Sequence, residues 1–561
     1  MITPFKKFLE LLKYEKSEIY AIYFYAILGG LIQLSVPLGI QSIISFVLGG
    51  AISTSLVLLI VFVIAGVFFS GLLQVNQMKL IEKIQQQLFV RYSFQYAHTI
   101  PKLDLRGVNS YYLPELVNRF FDTIPLQKSI SKLLLDIPGA SIQIVFGLIL
   151  LSFYHPVFIV FGIFLLFILY FILRSTAGRG MTTSLQESDF KYKVLGYLEE
   201  LARVVTSFKF SRNRSHHLVK TDDYVAGYLG ARTAHFNVLL FQYWALIIFK
   251  VLITSAMLIV GAYLLIGQQL NIGQFIAAEI VILMIIGSIE KLILNLDMIY
   301  DVMTSVEKIT RVIEKPVEKK GGVVMVKEEK GFSIEVKNLS YGFEGEDRLM
   351  KDVSFTINSG EKVCLQGAYG AGKSTLLRLL SGTYSDFSGI ILINGVPIGS
   401  YDLDSFRSST GILFPEQELF QGTILENICM GNELADYREM DLLADVVGLK
   451  SFIDSKKEGY QFMLQTAGQH LSGRIIKKIL LMRALLQQPG LLLLEEPWLG
   501  LEPAYQQNIQ QYLLEQLKEA TVIVVTNDKN FTERAEKILL LEKGMISSLT
   551  KQGYAGSKEN S

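Results

Sequence analysis

The sequence predicts an all-α domain with several membrane-spanning helices, followed by an α/β domain. Three observations predict this division. The 561-residue chain is 50% hydrophobic with a mean hydropathy of +0.37, which is high for a soluble protein. Its long uncharged runs lie in the first half of the chain. Beyond residue 331, short β-branched runs alternate with helical patterns.

Three apolar regions predict six membrane-spanning helices. The first region, from Ile19 to Met78, contains no Asp, Glu, Lys or Arg side chain. A short turn divides each region in two, and each half reaches the roughly 20 residues that a bilayer requires. The regions are 19–78, 137–173 and 236–294, and their turns are 49–53, 154–156 and 267–271.

The distribution of lysine and arginine predicts the orientation of these helices. The three short turns contain neither residue, whereas the long loops 79–132 and 179–232 are rich in both. Both loops and both chain termini are therefore predicted to be cytoplasmic. The loops also show helical apolar spacing, so we expect the membrane helices to have long cytoplasmic extensions. The amphipathic segment 1–18 lacks the features of a cleavable signal peptide.

Two ionisable residues of the third region, Lys250 and Glu279, have different expected environments. At 1.5 Å per residue, Glu279 lies about 12 Å and Lys250 about 24 Å from the outer turn, so the two are poorly matched as an ion pair. We expect Lys250 to extend to the cytoplasmic headgroups. Glu279 lies too deep for that, and we interpret it as a candidate translocation-pathway residue that faces a cavity or another helix.

A glycine-rich loop, GAYGAGKST at residues 367–375, is the most specific motif of the chain. It lies between an apolar strand pattern and an apolar helix pattern. In a phosphate-binding loop, backbone N–H groups surround the phosphates, the lysine supplies a positive charge, and the next hydroxyl ligates Mg²⁺. The motif predicts a bound nucleoside triphosphate with Mg²⁺. The candidate binding residues are Gly367, Gly370, Ala371, Gly372, Lys373, Ser374 and Thr375.

A second motif, residues 491–496, is a buried-strand pattern that ends in the carboxylates Glu495 and Glu496. At such a strand end, one carboxylate can hold Mg²⁺ and the next can polarise the attacking water. The pair therefore predicts triphosphate hydrolysis.

Composition excludes several other classes of protein. A net charge of +1 leaves no basic excess for a general nucleic-acid binder. Two cysteines, Cys364 and Cys429, are too few for a disulfide framework or a zinc site. The predicted organisation is an amphipathic segment at 1–18, a membrane domain at 19–313, a linker at 314–331, an α/β nucleotide-binding domain at 332–548 and a flexible tail at 549–561.

The order of these features resembles an ABC exporter over nearly the whole chain: six spans, then loop 367–375, Leu471-Ser472-Gly473, and residues 491–496. In that family, two ATP molecules lie between two nucleotide-binding domains. Each site combines the phosphate-binding loop of one chain with the signature segment of the other. The resemblance implies that this half-transporter dimerises, most simply with a second copy of itself, and couples ATP hydrolysis to export.

The resemblance also implies individual roles. Phe343 matches an aromatic residue that stacks on adenine, although a core aromatic is an alternative interpretation. Lys373 and Ser374 match the phosphate and Mg²⁺ positions. Glu495 matches a second Mg²⁺ position, and Glu496 matches the catalytic base.

Three departures from the family pattern concern single residues. Pro415 stands in place of the glutamine that couples Mg²⁺ to the membrane half, and Gln417 follows two residues later. Glu495 replaces an aspartate and moves the carboxylate one methylene outward. Asn527 replaces a histidine that contacts the γ-phosphate, and asparagine can donate a hydrogen bond without carrying the imidazolium charge.

The fourth departure lies in the signature segment, whose candidate residues are Ser472, Gly473 and Arg474. Arg474 stands in place of a glycine, so its side chain can obstruct close backbone approach to the γ-phosphate. Alternatively, its guanidinium can bind that phosphate across the dimer, or it is a solvated surface arginine. If these positions act in the transition state, we expect slow hydrolysis, because one lost contact costs about 3–4 kcal/mol.

Because no peptidase domain precedes the first span, the chain is expected to be similar to the peptidase-less, haemolysin-secreting branch of the family. That branch works with a membrane-fusion adaptor and an outer-membrane channel. The resemblance therefore implies that the chain lies in the lipid of a bacterial inner membrane. The cargo is not predicted. Two other hypotheses stay open: one half of a heterodimer, and a nucleotide-gated membrane scaffold or regulator with little turnover.

Overall fold

A computed structural model describes residues 4–49, 54–104, 113–212, 215–319, 321–326, 330–343, 348–431, 436–486 and 488–550. The chain divides into two compact units between Val317 and Glu318, inside the predicted linker 314–331. The described part of the first unit is built from helices, whereas the second unit combines sheets with helices. The predicted fold class is therefore confirmed.

The first unit contains helices α1 to α11. They run over Pro4–Lys13, Lys16–Gln33, Ser35–Leu48, Thr54–Thr99, Leu113–Asn118, Thr123–Tyr154, Val157–Arg203, Val205–Lys209, His216–Ile266, Ile272–Leu294 and Leu296–Ile313. In the described ranges, six stretches are long and apolar enough to cross a membrane: Lys16–Leu48, Thr54–Lys102, Leu113–Tyr154, Val157–Arg203, His216–Ile266 and Ile272–Ile313. Each exceeds the roughly 20 residues that a bilayer requires, so the helices are long enough to continue beyond it.

Local sequence explains two of the breaks between these helices. The gap between α2 and α3 lies at Leu34, because Pro37 has no N–H to donate to the Gln33 carbonyl one turn earlier. Helix α10 begins after Asn271, whose side chain accepts a hydrogen bond from the Gln274 N–H, while the Gln274 side chain accepts one from the Asn271 N–H. Residues 50–53 of the first predicted turn lie outside the described residues.

Apolar packing and two ion pairs hold the helices together. One core cluster includes Ile253 of α9 and Val281 of α10. Lys250 of α9 forms an ion pair with Glu290 of α10 at 2.7 Å. Lys250 thus has a protein partner on an adjacent helix, and its expected reach toward the headgroups stays a prediction. A second pair joins the buried Lys308 of α11 to Asp189 of α7.

The second unit contains strands β1 to β12 and helices α12 to α19. The strands run over Ile334–Tyr341, Met350–Ile357, Lys362–Gly367, Ser388–Ile393, Val396–Pro397, Thr410–Leu413, Gly422–Thr423, Met463–Leu464, Leu491–Glu495, Thr521–Val525, Lys537–Glu542 and Met545–Thr550. The helices run over Lys373–Leu380, Leu403–Ser408, Ile424–Cys429, Tyr437–Val447, Lys450–Asp454, Gly473–Leu485, Pro503–Gln511 and Lys529–Arg534.

Three sheets organise these strands. Their orders are β2-β1-β4-β5, β12-β11-β3-β10-β9-β6 and β7-β8. In the six-stranded sheet, successive residues of β9 point to opposite faces: Leu492 and Leu494 join one core cluster, and Leu491 and Leu493 join the other. Strand β12 pairs with β11 as far as Thr550, so the sheet includes the first two residues of the predicted tail 549–561, whose remainder lies outside the described residues.

The parallel strands of this sheet determine where functional groups can gather. Strands β3, β10 and β9 are parallel neighbours, with Val525 opposite both Leu365 and Glu495. Their carboxyl ends therefore share one edge of the sheet. The phosphate-binding loop follows β3 at this edge, and the two carboxylates follow or end β9.

Candidate functional site

The glycine-rich loop connects β3 to α12 through backbone conformations that favour glycine. Gly367, Gly370 and Gly372 have φ values of 151°, 77° and 100°. A Cβ atom on Gly367 would lie 2.3 Å from the Leu541 carbonyl oxygen of β11. The loop therefore needs glycine at this position both for its backbone angle and for its close packing on the neighbouring strand.

Gly367→Ala is expected to lower the free energy of unfolding of the second unit by about 2–4 kcal/mol, because it adds both backbone strain and overpacking. The melting transition of the purified chain in scanning calorimetry measures this loss. Gly399→Ala is the matched control, because its Cβ meets nothing within 4 Å and its φ is ordinary. Equal transitions for the two variants would contradict the prediction.

Lys373 begins α12 with its ammonium directed into the loop. Its Nζ donates to the carbonyl oxygens of Gly367 at 2.9 Å and of Ala368 at 2.8 Å. Ala371 and Gly372 precede Lys373, and Ser374 and the buried Thr375 follow it. The loop thus surrounds a positive charge, which suits the binding of a phosphate group.

Ser374 and Glu495 form a pair of oxygen donors at the sheet edge. The Ser374 hydroxyl donates to Glu495 Oε1 at 2.5 Å. The other carboxylate oxygen, Oε2, is buried and has no hydrogen-bond partner among the described residues. A buried carboxylate oxygen beside a hydroxyl suits Mg²⁺, which prefers oxygen ligands and is usually held by few protein groups together with substrate phosphates. The two residues therefore fit the predicted metal site.

Glu496 follows β9 in a left-handed backbone conformation, with φ of 46°. Its N–H donates to the Val525 carbonyl at 2.9 Å, and the Thr526 hydroxyl lies 3.4 Å from its Oε2. Burial raises the pKa of the Glu496 carboxyl, whereas Thr526 and the positive charge of Lys477 oppose this rise. A carboxylate with a raised pKa at this edge has the properties of a general base.

Lys477 of α17 is a functional candidate that the sequence analysis did not identify. Its ammonium donates to the backbone carbonyls of Glu496 at 3.0 Å and of Leu499 at 2.9 Å. Burial lowers the pKa of Lys477, and the neighbouring Glu496 raises it. The lysine thus connects the helix of the signature segment to the loop that carries Glu496. Its position next to Lys478, between the apolar pairs 475–476 and 479–480 of this helix, was the available signal.

The signature segment begins α17. Ser472 is the N-cap, with its side chain accepting from the Ile475 N–H at 3.4 Å, and Gly473 has open space where a Cβ would lie. Arg474 is 62% exposed and lies 3.6 Å from Glu502 of the same chain, which also pairs with Lys478 at 3.1 Å. An exposed pair of this length is weak. Arg474 therefore stays free to change partners.

Phe343 lies at the rim of an aromatic cluster. Its ring meets those of Tyr341 and Tyr384 edge to face, at centroid distances of 5.5 and 6.3 Å, and Tyr341 and Tyr384 stack on each other. Phe343 is 36% exposed, whereas Tyr341 is buried. The ring thus keeps an accessible surface on which a base could stack.

Among the described residues of the second unit, neither Gln417 nor Asn527 bonds to the glycine-rich loop. The Gln417 side chain accepts from the Phe414 N–H at 2.9 Å, so its carbonyl oxygen is used within its own turn beside Pro415. Asn527 is exposed immediately after β10. Glu279 lies half-buried on α10 of the first unit.

Two family models match this chain. Residues 19–289 match the ABC transporter transmembrane region, and residues 350–499 match the ABC transporter domain. A solved structure described as a bacterial Atm1-family ABC exporter with ATP bound superposes with a TM-score of 0.83 at 19% identity, covering 97% of this chain and 96% of the other. At that identity the likeness shows the fold.

Curated relatives match one part of the chain. A glutathione/L-cysteine transport system ATP-binding/permease protein of Bacillus subtilis is 32% identical over 37% of this chain and 36% of its own length. A β-(1→2)glucan export ATP-binding/permease protein of Agrobacterium fabrum is 32% identical over 39% of each chain. A multidrug efflux protein of Mycobacterium tuberculosis is 30% identical over 38% of this chain and 18% of its own length.

The matches thus span between about a fifth and two fifths of the relatives named here. Of the two family-model matches, the first lies within the helical unit, and the second lies within the unit that carries the phosphate-binding loop. This chain belongs to the ABC transporters, and its described residues join a membrane domain with six candidate spans to an ATP-binding domain.

Proposed function

We propose that the chain exports a substrate across a membrane as one half of a dimer that binds and hydrolyses ATP. One observation carries the proposal: Lys373, Ser374, Glu495 and Glu496 converge at the carboxyl edge of one sheet, in the same chain as six apolar helices. The first three suit the binding of phosphates and a metal ion, and the fourth suits proton transfer. This combination is that of an ATP-driven membrane transporter.

Each residue has a distinct task in this proposal. Lys373 exchanges its bonds to the loop carbonyls for the outer phosphates, and Phe343 stacks on the base. Ser374 and Glu495 hold Mg²⁺, which neutralises charge on the phosphates when bound. Glu496 orients the attacking water and accepts its proton at a carboxylate oxygen. Asn527 offers an amide hydrogen bond near the same edge.

A second half-transporter completes the site in this proposal. Ser472, Gly473 and Arg474 lie at the beginning of α17, where exposed N–H groups of a helix N-terminus suit a phosphate of the partner chain. The weak bond from Arg474 to Glu502 permits the guanidinium to turn toward that phosphate. We propose a homodimer, because one chain supplies both halves of the composite site.

The proposed membrane location and the further partners are inferred from the sequence and from the resemblance. The positive loops support cytoplasmic termini in a bacterial inner membrane. Glu279 of α10 is proposed as a residue of the translocation pathway, because a half-buried carboxylate within a span suits a polar path. The proposal that a membrane-fusion adaptor and an outer-membrane channel act as partners rests on the haemolysin-type resemblance alone.

ATP hydrolysis by the chain purified alone in lipid nanodiscs tests the function, with Lys373→Ala as the variant and the oligomeric state measured in the same sample. We expect a dimer with Mg²⁺-dependent turnover, lost in Lys373→Ala because the loop then lacks its positive charge. Lys529→Ala, an exposed lysine at the beginning of α19, is the matched control. ATP binding without turnover would favour the scaffold hypothesis, and turnover only with a second half-transporter would favour the heterodimer.

A further inference from the structure

A polar cavity lies among four helices of the first unit, where apolar packing otherwise dominates. It has a volume of about 160 Å³ and lies between α2, α4, α6 and α10. Its polar lining includes Gln33, Gln74, Gln77, Asp136, Gln143 and Lys291. Amide and charged side chains from four helices therefore converge on one space, with Asp136 one residue before a predicted span and the others within predicted spans.

The depth of these residues places the charges at one end of the cavity. At 1.5 Å per residue from Tyr154, the end of α6, Gln143 lies about 16 Å and Asp136 about 27 Å along the helix. Lys291 lies about 28 Å from Ile272, the beginning of α10. In the proposed orientation, the two charges share a level near the cytoplasmic side of a hydrocarbon core of about 30 Å. The glutamine amides extend from there toward the middle.

Part of this polar lining is occupied by bonds within the fold. Gln143 donates to Gln33 at 2.5 Å and accepts from the Ser288 hydroxyl at 2.7 Å. Asp136 accepts from Asn295 at 3.0 Å. These bonds fix the orientation of the amides and of the carboxylate, so the lining is held in place before any solute enters.

Another part of the lining has free bonding capacity. Across the described ranges of the chain, neither the Gln74 amide nor the Lys291 ammonium has a hydrogen-bond or ion-pair partner. Polar groups within a membrane are costly without partners and are mostly functional. Both side chains are exposed, so a solute can reach them, and a free amide and a free ammonium that line the same cavity as a carboxylate indicate a binding site.

We propose that this cavity binds a small zwitterionic solute of the short-peptide class, which deepens and rests on the proposed export function. Lys291 pairs with the solute carboxylate, Asp136 pairs with its ammonium, and the glutamine side chains bond to its amide groups. A lipid whose headgroup met the same charges would lay apolar acyl chains along the glutamine amides, which is unfavourable. The lining thus favours a solute that is polar along its whole length.

Equilibrium binding of radiolabelled glycylglutamine to the full chain in phosphatidylcholine nanodiscs tests this proposal. We expect saturable binding that Lys291→Met weakens about tenfold and Gln74→Leu weakens several-fold. Neither side chain bonds to another described part of the chain, so both variants should keep the melting temperature of the native protein. Lys132→Met, an exposed lysine of α6 that does not line the cavity, is the matched control.

Three results would overturn the proposal. The first is no saturable binding of glycylglutamine, and the second is equally tight binding of N-acetyl-glycylglutamine amide, which carries neither charge. The third is displacement of the dipeptide by phosphatidylethanolamine in the disc. ATP hydrolysis measured in the same samples separates this proposal from the proposed function. Hydrolysis without dipeptide binding would contradict the solute site alone. Dipeptide binding without hydrolysis would contradict ATP-driven export and leave the site supported.

Discussion

Glu496→Gln is expected to lower the rate of ATP hydrolysis by a factor of roughly 10²–10⁴, the contribution of a positioned general base. Glutamine has nearly the same shape as glutamate but cannot accept the proton of the attacking water. Because Lys373, Ser374 and Glu495 stay in place, Mg²⁺-ATP binding should persist. Single-turnover hydrolysis and equilibrium nucleotide binding, measured on the purified chain in nanodiscs, separate these two effects.

The matched control for this variant is Glu542→Gln, which removes an exposed carboxylate at the end of β11. It should hydrolyse ATP at the native rate. If Glu496→Gln retained native turnover, the proton acceptor would have to be another group. If it instead lost nucleotide binding, Glu496 would be a structural residue of the sheet edge.

Lys477→Gln is expected to move the acidic limb of the pH–rate profile to higher pH. The positive charge of Lys477 lowers the pKa of the Glu496 carboxyl, so its removal raises that pKa further. The base works in its deprotonated form, and a higher pKa means that a higher pH is needed to reach the same rate. Glutamine can still donate hydrogen bonds, so the maximal rate should change little.

Lys477→Met is the informative companion, because it removes both the charge and the two hydrogen bonds to the carbonyls of Glu496 and Leu499. It should show the same shift of the acidic limb together with a roughly 10- to 100-fold lower maximal rate, since a small misplacement of a catalytic group has that effect. Lys529→Gln, an exposed lysine of α19, controls for the loss of charge. An unchanged pH profile in Lys477→Gln would contradict the electrostatic role of Lys477.

The architecture and the phosphate site could be predicted because their signals are local. Uncharged runs long enough for a bilayer, and a loop between a strand and a helix, each depend on neighbouring residues. The resemblance implied that Ser374 and Glu495 share a site, and the parallel strands of the structure place both at one edge of the sheet. The break at Leu34 was missed, although Pro37 gives a local reason for it.

Other features depend on tertiary contacts that no local pattern contains. Lys250 and Glu290 are 40 positions apart in sequence, and they meet only because α9 and α10 are adjacent. Lys477 reaches Glu496 only because the loop after β9 turns its carbonyls toward α17. The polar cavity is built from amides on three helices and from Lys291 on a fourth, and glutamine in an uncharged run adds no charge to the sequence pattern.

The contacts of Lys477 also have a consequence for cooperativity in the proposed dimer. Within each chain, one ammonium joins the loop of Glu496, which serves one ATP, to α17, whose beginning faces the other ATP. Lys477 therefore transmits a shift of either element to the other. Occupancy of one nucleotide site would be sensed at the second, so the Hill coefficient for ATP should fall in Lys477→Met and be largely kept in Lys477→Gln.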